Sequence, residues 1–307
     1  MVVSEDMRIA AEAASPGSRI VDAVPLDGGS SAHVVRLTLV SSGGGRSKVV
    51  FRQHADRTGK GHSAGVAAKE FRLAEVLVAA GLPVPKALAL HRDSTTCGPW
   101  LVTEWVAGSP PTASDRVGDV IAQLADFLAR LHAVDPERVA GVGLEPIEDP
   151  AEVLPGYLPD DENGRSVAAI LASGVERRPN PDVVLHGDYW PGNVLFRDGE
   201  IAAVLDWEDA ALGDPLVDLA CARVEIECAL GAPASARFTD EYLGRATERG
   251  CPVDLHDLPL WDAYVSATAL SAMHLWGLTP TDEAERRRTT QRFFASAGAR
   301  LSLRSRR

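Results

Sequence analysis

The sequence predicts an α+β protein of two lobes, a small antiparallel sheet with one helix and then a larger, mostly helical part. Three observations carry this. Residues 19 to 53 alternate apolar and polar side chains between glycine clusters, the pattern of hairpin-linked strands. From about residue 115 onward apolar residues recur at helical spacing. One hairpin, "NVLFRDGEIAAVLDW", interrupts the helical part and carries polar residues at both ends. The 307 residues suffice for two hydrophobic cores, and an apolar fraction of 45% with 24% charged residues is that of an ordinary globular chain.

Taken in order, "IVDAVPL", "VVRLTLV" and "KVVFRQH" are three strands joined by "DGGSSAH" and "SSGGGRS". In "AGVAAKEFRLAEVLVAAG", Phe71, Ala74, Leu77 and Val78 share a helix face, and Gly81 with Pro83 and Pro85 ends the helix. "CGPWLVTEWVAG" is a further apolar strand. Val117, Val120, Ile121, Leu124, Leu128 and Leu131 then form one apolar stripe, capped at its start by Ser114 or Asp115. Residues 145 to 182, rich in Pro, Asp and Glu, read as a loop with one short helix. Asp198-Gly199 is the turn of the hairpin, helices follow it, and the basic end "RRRTTQRFFASAGARLSLRSRR" reads as a solvated face. The lobes divide into 1–105 and 106–307.

With 43 acidic and 31 basic side chains the formal charge is -12, which argues against binding a nucleic-acid backbone and suits a cationic partner. The run "AYVSATALSAMHLWGLTP" has the length of a membrane span but carries Tyr, Ser, Thr, His and Pro, so it reads as a buried helix and no membrane association is expected. Cys97, Cys221, Cys228 and Cys251 form no Cys-x-x-Cys pair, and the start of the chain has no basic segment followed by an apolar one; reduced thiols in the cytoplasm are expected.

The chemistry concentrates around "LHGDYWPGNVLF". Pro191 and Gly192 force a turn between Asp188 and Asn193, and the hairpin brings Asp206 back toward its start. An amide oxygen from Asn193 and a carboxylate from Asp206 are ligands for one Mg²⁺, which takes its remaining ligands from water and phosphates. Asp188 is then placed to accept the proton of a hydroxyl that attacks phosphorus.

"HGDYWPGN" resembles the His-x-Asp-x-x-x-x-Asn loop of the aminoglycoside phosphotransferase and choline kinase-like family, and "VLDWEDAALGDPLVDLA" resembles its metal-binding aspartate and the helix after it. The likeness runs from about residue 20 to about residue 275. It implies a bilobal, protein-kinase-like fold, with a nucleotide-binding first lobe and a second lobe holding the catalytic loop, metal site and acceptor helices. By resemblance Asp188 is the catalytic base, Asn193 and Asp206 are metal ligands, and His186 and Asp218 support the loop; Asp214, before Pro215 at a helix start, reads as a structural N-cap. Gly28, Gly29 and Ser30 resemble the turn over the nucleotide phosphates. Arg52, with Lys48 as alternative, takes the place of the basic residue on the third strand. Glu70, with Glu75 as alternative, is its helix partner. Thr103 and Trp105 resemble the hinge whose backbone meets the base, with Val102 beside it.

The implied reaction transfers the γ-phosphate of ATP, or GTP, with Mg²⁺, to a hydroxyl of a small molecule, foremost an antibiotic. A metabolic kinase acting on a choline-, homoserine- or sugar-amine-like acceptor and a non-catalytic nucleotide-binding module are the alternatives. Glu208, Asp209, Glu225 and Glu227 are candidates for holding a cationic acceptor. Trp190, Trp207, Trp261 and Trp276 are candidates for an aromatic pocket, with at least two expected in the core. A monomer or homodimer is expected.

Overall fold

The computed structural model of the protein describes residues 3–26, 32–54, 62–92, 98–112 and 115–305. Gly28, Gly29, Ser30, Cys97 and Ser114 lie outside these. The chain forms two compact units: one of Met1–Ser109, Glu137–Leu144 and Val194–Glu208, the other of Pro110–Pro136, Glu145–Asn193 and Asp209–Arg307.

The first unit opens with α1 (Glu5–Ala14), capped by Ser4, whose side chain accepts from the Met7 amide. Strands β1 (Arg19–Pro25), β2 (Ala32–Val40) and β3 (Arg46–His54) follow, then α2 (His62–Ala79), β4 (Ala87–His91) and β5 (Trp100–Glu104). They form one sheet in the order β1-β2-β3-β5-β4, with every neighbouring pair antiparallel. Because side chains alternate between faces, Val49 and Phe51 enter a core with Val35, Leu37, Leu39 and the Met7–Ala11 stripe of α1, and Arg52 points to the opposite face. The sequence pattern missed α1 and β4. Each is short, and β4 follows directly on the Pro-x-Pro that ends α2.

Hairpin strands β8 (Val194–Arg197) and β9 (Glu200–Val204) belong to this first unit. Asp198 and Gly199 both have positive φ, 55° and 83°, as a tight two-residue hairpin turn requires. The hairpin is tied in by Val204 donating to the Pro83 carbonyl and by a bridge between Ser109 and Phe196. Those bonds group it with the sheet, whereas a boundary at residue 105 assigns it to the second lobe.

In the second unit, α3 (Val117–His132) carries the expected stripe, but its N-cap is Arg116, which makes no side-chain cap. Asp115 accepts instead from the amide and hydroxyl of Thr112, which close a turn ahead of the helix. Strand β6 (Glu145–Pro146), α4 (Pro150–Val153) and α5 (Glu162–Ala172) occupy the segment read as mostly loop, and β7 (Val183–Leu185) follows it. Strand β10 (Ala211–Gly213) lies between β6 and β7. Helices α6 (Leu216–Leu230), α7 (Ala232–Glu248), α8 (Leu258–Ala272) and α9 (Pro280–Ser305) complete the unit. Leu154, Val167, Ile170, Leu260, Phe294 and Leu301 form a core shared by α5, α8 and α9. No helix among the described residues is long and apolar enough to cross a membrane. The basic end is not merely solvated. Arg286, Arg300 and Arg304 of α9 pair with the buried Glu225, Asp262 and Asp257.

Candidate active site

In the first unit, β3 and α2 hold Arg52 and Glu70 face to face, and the end of the hairpin supplies Asp206 and Glu208. Arg52 Nη2 donates to Asp206 Oδ1 at 2.7 Å and to Glu208 Oε2 at 2.8 Å, and Nη1 lies 3.5 Å from Glu70 Oε1. Burial alone would lower the affinity of Arg52 for its proton, but Glu70, Asp206 and Glu208 together raise it well above the ordinary arginine value. Carboxylate oxygens of Glu70, Asp206 and Glu208 lie within 4.8 Å of one another, a donor set suited to a hard cation. Asp206 has a left-handed φ of 66°, a strained conformation for a side chain other than glycine and a mark of a functional position.

Lys48 shares the face of β3 that carries Arg52 but is exposed, opposite Thr38, and Glu75 is exposed on α2. His54 Nε2, on the face of β3 that Val49 and Phe51 do not share, lies 3.5 Å from Glu70. Glu208, two residues past Asp206, pairs with Arg52, and its own carbonyl accepts from Lys69 Nζ at 2.6 Å. Trp207, between these two acids, is buried, with its indole N–H on the Val204 carbonyl.

Thr103 is paired on both sides, with Val50 and with Ala87, and Trp105, just past the end of β5, donates its amide to the Lys48 carbonyl. Val102 is fully buried between Phe51 and Ala89.

In the second unit, the loop from His186 to Asn193 is clamped by α6. Asp218, fully buried, accepts from the amides of His186 and Gly187 at 2.8 and 2.9 Å and from His132 Nε2 at 3.2 Å. Burial pushes the Asp218 carboxyl upward, and the His132 bond and charge with the His186 amide outweigh it, so its pKa is lowered. The amide of Asp188 donates to His186 Nδ1 at 3.2 Å. Gly187 has φ 85°, and a Cβ there would meet the Asp209 carbonyl oxygen at 2.1 Å, so only glycine fits.

A 3-10 turn over Pro191–Asn193 returns the chain. Asn193 Nδ2 donates to the Asp188 carbonyl and to Asp188 Oδ2, at 2.9 and 3.0 Å. Its amide nitrogen is thus committed, and its oxygen is the donor left for a cation. The thiol of Cys221, on α6, points at the other carboxylate oxygen, Asp188 Oδ1, at 3.8 Å. Both oxygens of Asp188 are therefore met by neutral donors.

Asp214 is not the N-cap, which falls on Pro215, but it accepts from the Leu216 amide and from Asn180, and burial raises its pKa. Of the four acids offered as acceptor ligands, Asp209 is exposed, Glu227 is half-buried on α6, and Glu225 is buried in an ion pair with Arg286. Trp261 is a core residue, Trp276 is exposed, and Trp190 is half-buried.

These features bear on family. A model of the phosphotransferase enzyme family (APH) matches residues 22–253. The chain belongs to that family. Within it, a segment of the chain is 26% identical over 211 residues to mouse acyl-CoA dehydrogenase family member 10, covering 62% of this chain and 19% of that protein. Another is 30% identical over 169 residues to viomycin phosphotransferase of Streptomyces vinaceus, covering 50% of this chain and 55% of the relative. The chain thus spans only a fifth to a half of the curated relatives it matches first. In fold it is similar to aminoglycoside 2'-phosphotransferase-IIIa, solved as a GDP complex, with a TM-score of 0.67, 17% identity, and coverage of 95% of this chain and 99% of that one. The fold is accordingly the α+β kinase-like fold of the phosphotransferases.

Sequence reasoning missed Cys221, His132, His54 and Arg286. For Cys221 a signal exists, since positions 218, 221 and 225 recur at helical spacing on one face of α6. His132, His54 and Arg286 come from distant segments, with no local signal.

Proposed function

We propose that the protein is a small-molecule O-phosphotransferase that moves the γ-phosphate of ATP or GTP to a hydroxyl of its acceptor. The observation that carries this is the setting of Asp188, whose two carboxylate oxygens meet Asn193 and Cys221 while Asp218 fixes the backbone ahead of it. These donors fix the position of the carboxylate. It can orient a hydroxyl and take its proton as the oxygen attacks phosphorus.

Arg52, held by Glu70, is a bidentate cation for phosphate oxygens. The donor set of the first unit fits a divalent cation such as Mg²⁺: Asp206 would hold it, with Glu208 as a further carboxylate. When bound, such a cation neutralises phosphate charge. GDP binding by a protein of the same fold supports a nucleoside triphosphate as donor. Likeness to viomycin phosphotransferase supports an antibiotic as acceptor. Free Cys221, Cys228 and Cys251 and the need for nucleotide support a cytoplasmic site of action.

The test is a coupled nucleotide-consumption screen against hydroxylated antibiotics, amines and sugars with ATP and with GTP. Acceptor-dependent consumption that Asp188→Asn abolishes is expected. Undiminished turnover by that variant would overturn the assignment.

A further inference from the structure

The left-handed backbone of Asp206, at φ 66°, has to be held in place. A side chain other than glycine keeps that conformation only where its surroundings fix it. Residues 205–207 follow β9 outside any strand or helix, so no ladder of backbone hydrogen bonds supplies the hold. Side chains supply it instead. Ahead of Asp206, the Val204 carbonyl accepts from the Trp207 indole N–H at 3.1 Å, and the Val204 amide donates to the Pro83 carbonyl. Beyond Asp206, the Glu208 carbonyl accepts from Lys69 Nζ at 2.6 Å. The strained residue is pinned from both sides.

Lys69 is half-buried on α2, next in sequence to Glu70, which faces Arg52. Two successive residues of one helix thus reach two parts of the cluster. Glu70 meets the guanidinium, and Lys69 meets the main chain that carries Asp206 and Glu208. The Lys69 bond is charge-assisted and belongs to the stronger kind. It goes to a carbonyl and not to the carboxylates, whose oxygens lie with that of Glu70 within 4.8 Å of one another.

We propose that Lys69 is a positioning residue: by holding the Glu208 carbonyl it keeps residues 206–208 in the conformation that presents the Asp206 and Glu208 carboxylates to a divalent cation. This rests on the reading of those carboxylates as the cation's ligands in the proposed phosphotransferase. A lysine also acts through its field, and the two roles differ in sign. The field of an ammonium repels a divalent cation, so a lysine acting by charge alone weakens cation binding and its removal tightens it. A lysine that presents the ligands strengthens binding, and its removal weakens it. Partial exposure of Lys69 to solvent screens the field, whereas the bond acts directly on the backbone of the ligands, so positioning outweighs it.

The experiment titrates Mn²⁺ alone, an ion that takes oxygen ligands and is counted by its paramagnetic resonance signal, into the full chain and its Lys69 variants. Lys69→Met keeps the stem and the helix propensity and removes the donor and its charge, whereas Lys69→Arg keeps both. Affinity for Mn²⁺ should fall about tenfold in Lys69→Met, the worth of a hydrogen bond from a charged group, and stay near that of wild type in Lys69→Arg. Lys69→Gln, which keeps a neutral N–H donor, should fall between them, and it carries the test should the methionine variant fold poorly. In the nucleotide-consumption assay the half-saturating Mg²⁺ concentration should rise in the same order, with kcat at saturating Mg²⁺ little changed. Unchanged or tighter Mn²⁺ binding in both Lys69→Met and Lys69→Gln would overturn the inference and leave an Asp188-dependent phosphotransferase standing. Weakened binding that arginine restores supports the inference whatever the acceptor screen returns. A wild-type chain that binds no Mn²⁺, with or without nucleotide, would overturn it together with the cation site.

Discussion

In the first unit Asp206 and Glu208 meet a guanidinium, and in the second Asp188 meets an amide and a thiol. The residue types are nearly the same, and the partners are opposite in kind. Formal charges matched by formal charges make a cluster that can exchange one counterion for another, as binding of phosphates and a cation requires. The carboxylate of Asp188 is met by the neutral donors of Asn193 and Cys221. In the proposed scheme, charge neutralisation and proton transfer fall to separate sets of side chains.

The strongest way to break this contrast is Asp188→Asn, which keeps the shape and removes the basic oxygen. Turnover should fall by about two to four orders of magnitude, with an unchanged melting temperature. Next comes Asp206→Asn, which leaves Arg52 with Glu70 and Glu208. Activity should fall by about two to three orders of magnitude, and the dependence of the remainder on divalent-cation concentration should shift to higher concentrations.

Asp218→Asn sharpens the contrast from the side of stability. Asp218 touches no ligand in the proposed scheme and anchors the loop of Asp188 by two amide bonds and His132. Denaturant unfolding at neutral pH should show a loss of about 2–4 kcal/mol. The folded-state pKa of Asp218 lies below its ordinary value, so its contribution is present above the unfolded pKa and is lost as pH falls through the folded one. The gap between wild type and variant should therefore shrink under acid. The smallest effect is that of Arg52→Lys. A point cation cannot face Glu70 with one nitrogen and Asp206 and Glu208 with another, as the guanidinium does, and KM for nucleotide should rise about tenfold.

Much of this was legible in the sequence because the signals are local. Strand alternation, the Asp198-Gly199 turn and the spacing of His186, Asp188 and Asn193 each lie within a few residues. The long-range pairings were not legible. Glu208 reads as an acceptor ligand until β3 brings Arg52 across 156 residues of sequence to it. Glu225 reads as an open carboxylate until α9 brings Arg286 across 61. In each case the local pattern identifies a polar group, and the tertiary fold decides what it is spent on.

The guanidinium of Arg52 has a consequence for kinetics at high pH. A lysine among three carboxylates would in time surrender its proton as the solution became alkaline, and a family member with lysine there has a built-in upper limit. Arginine never does so in water. The alkaline limb of the proposed reaction's rate profile should therefore report an ionisation other than that of Arg52.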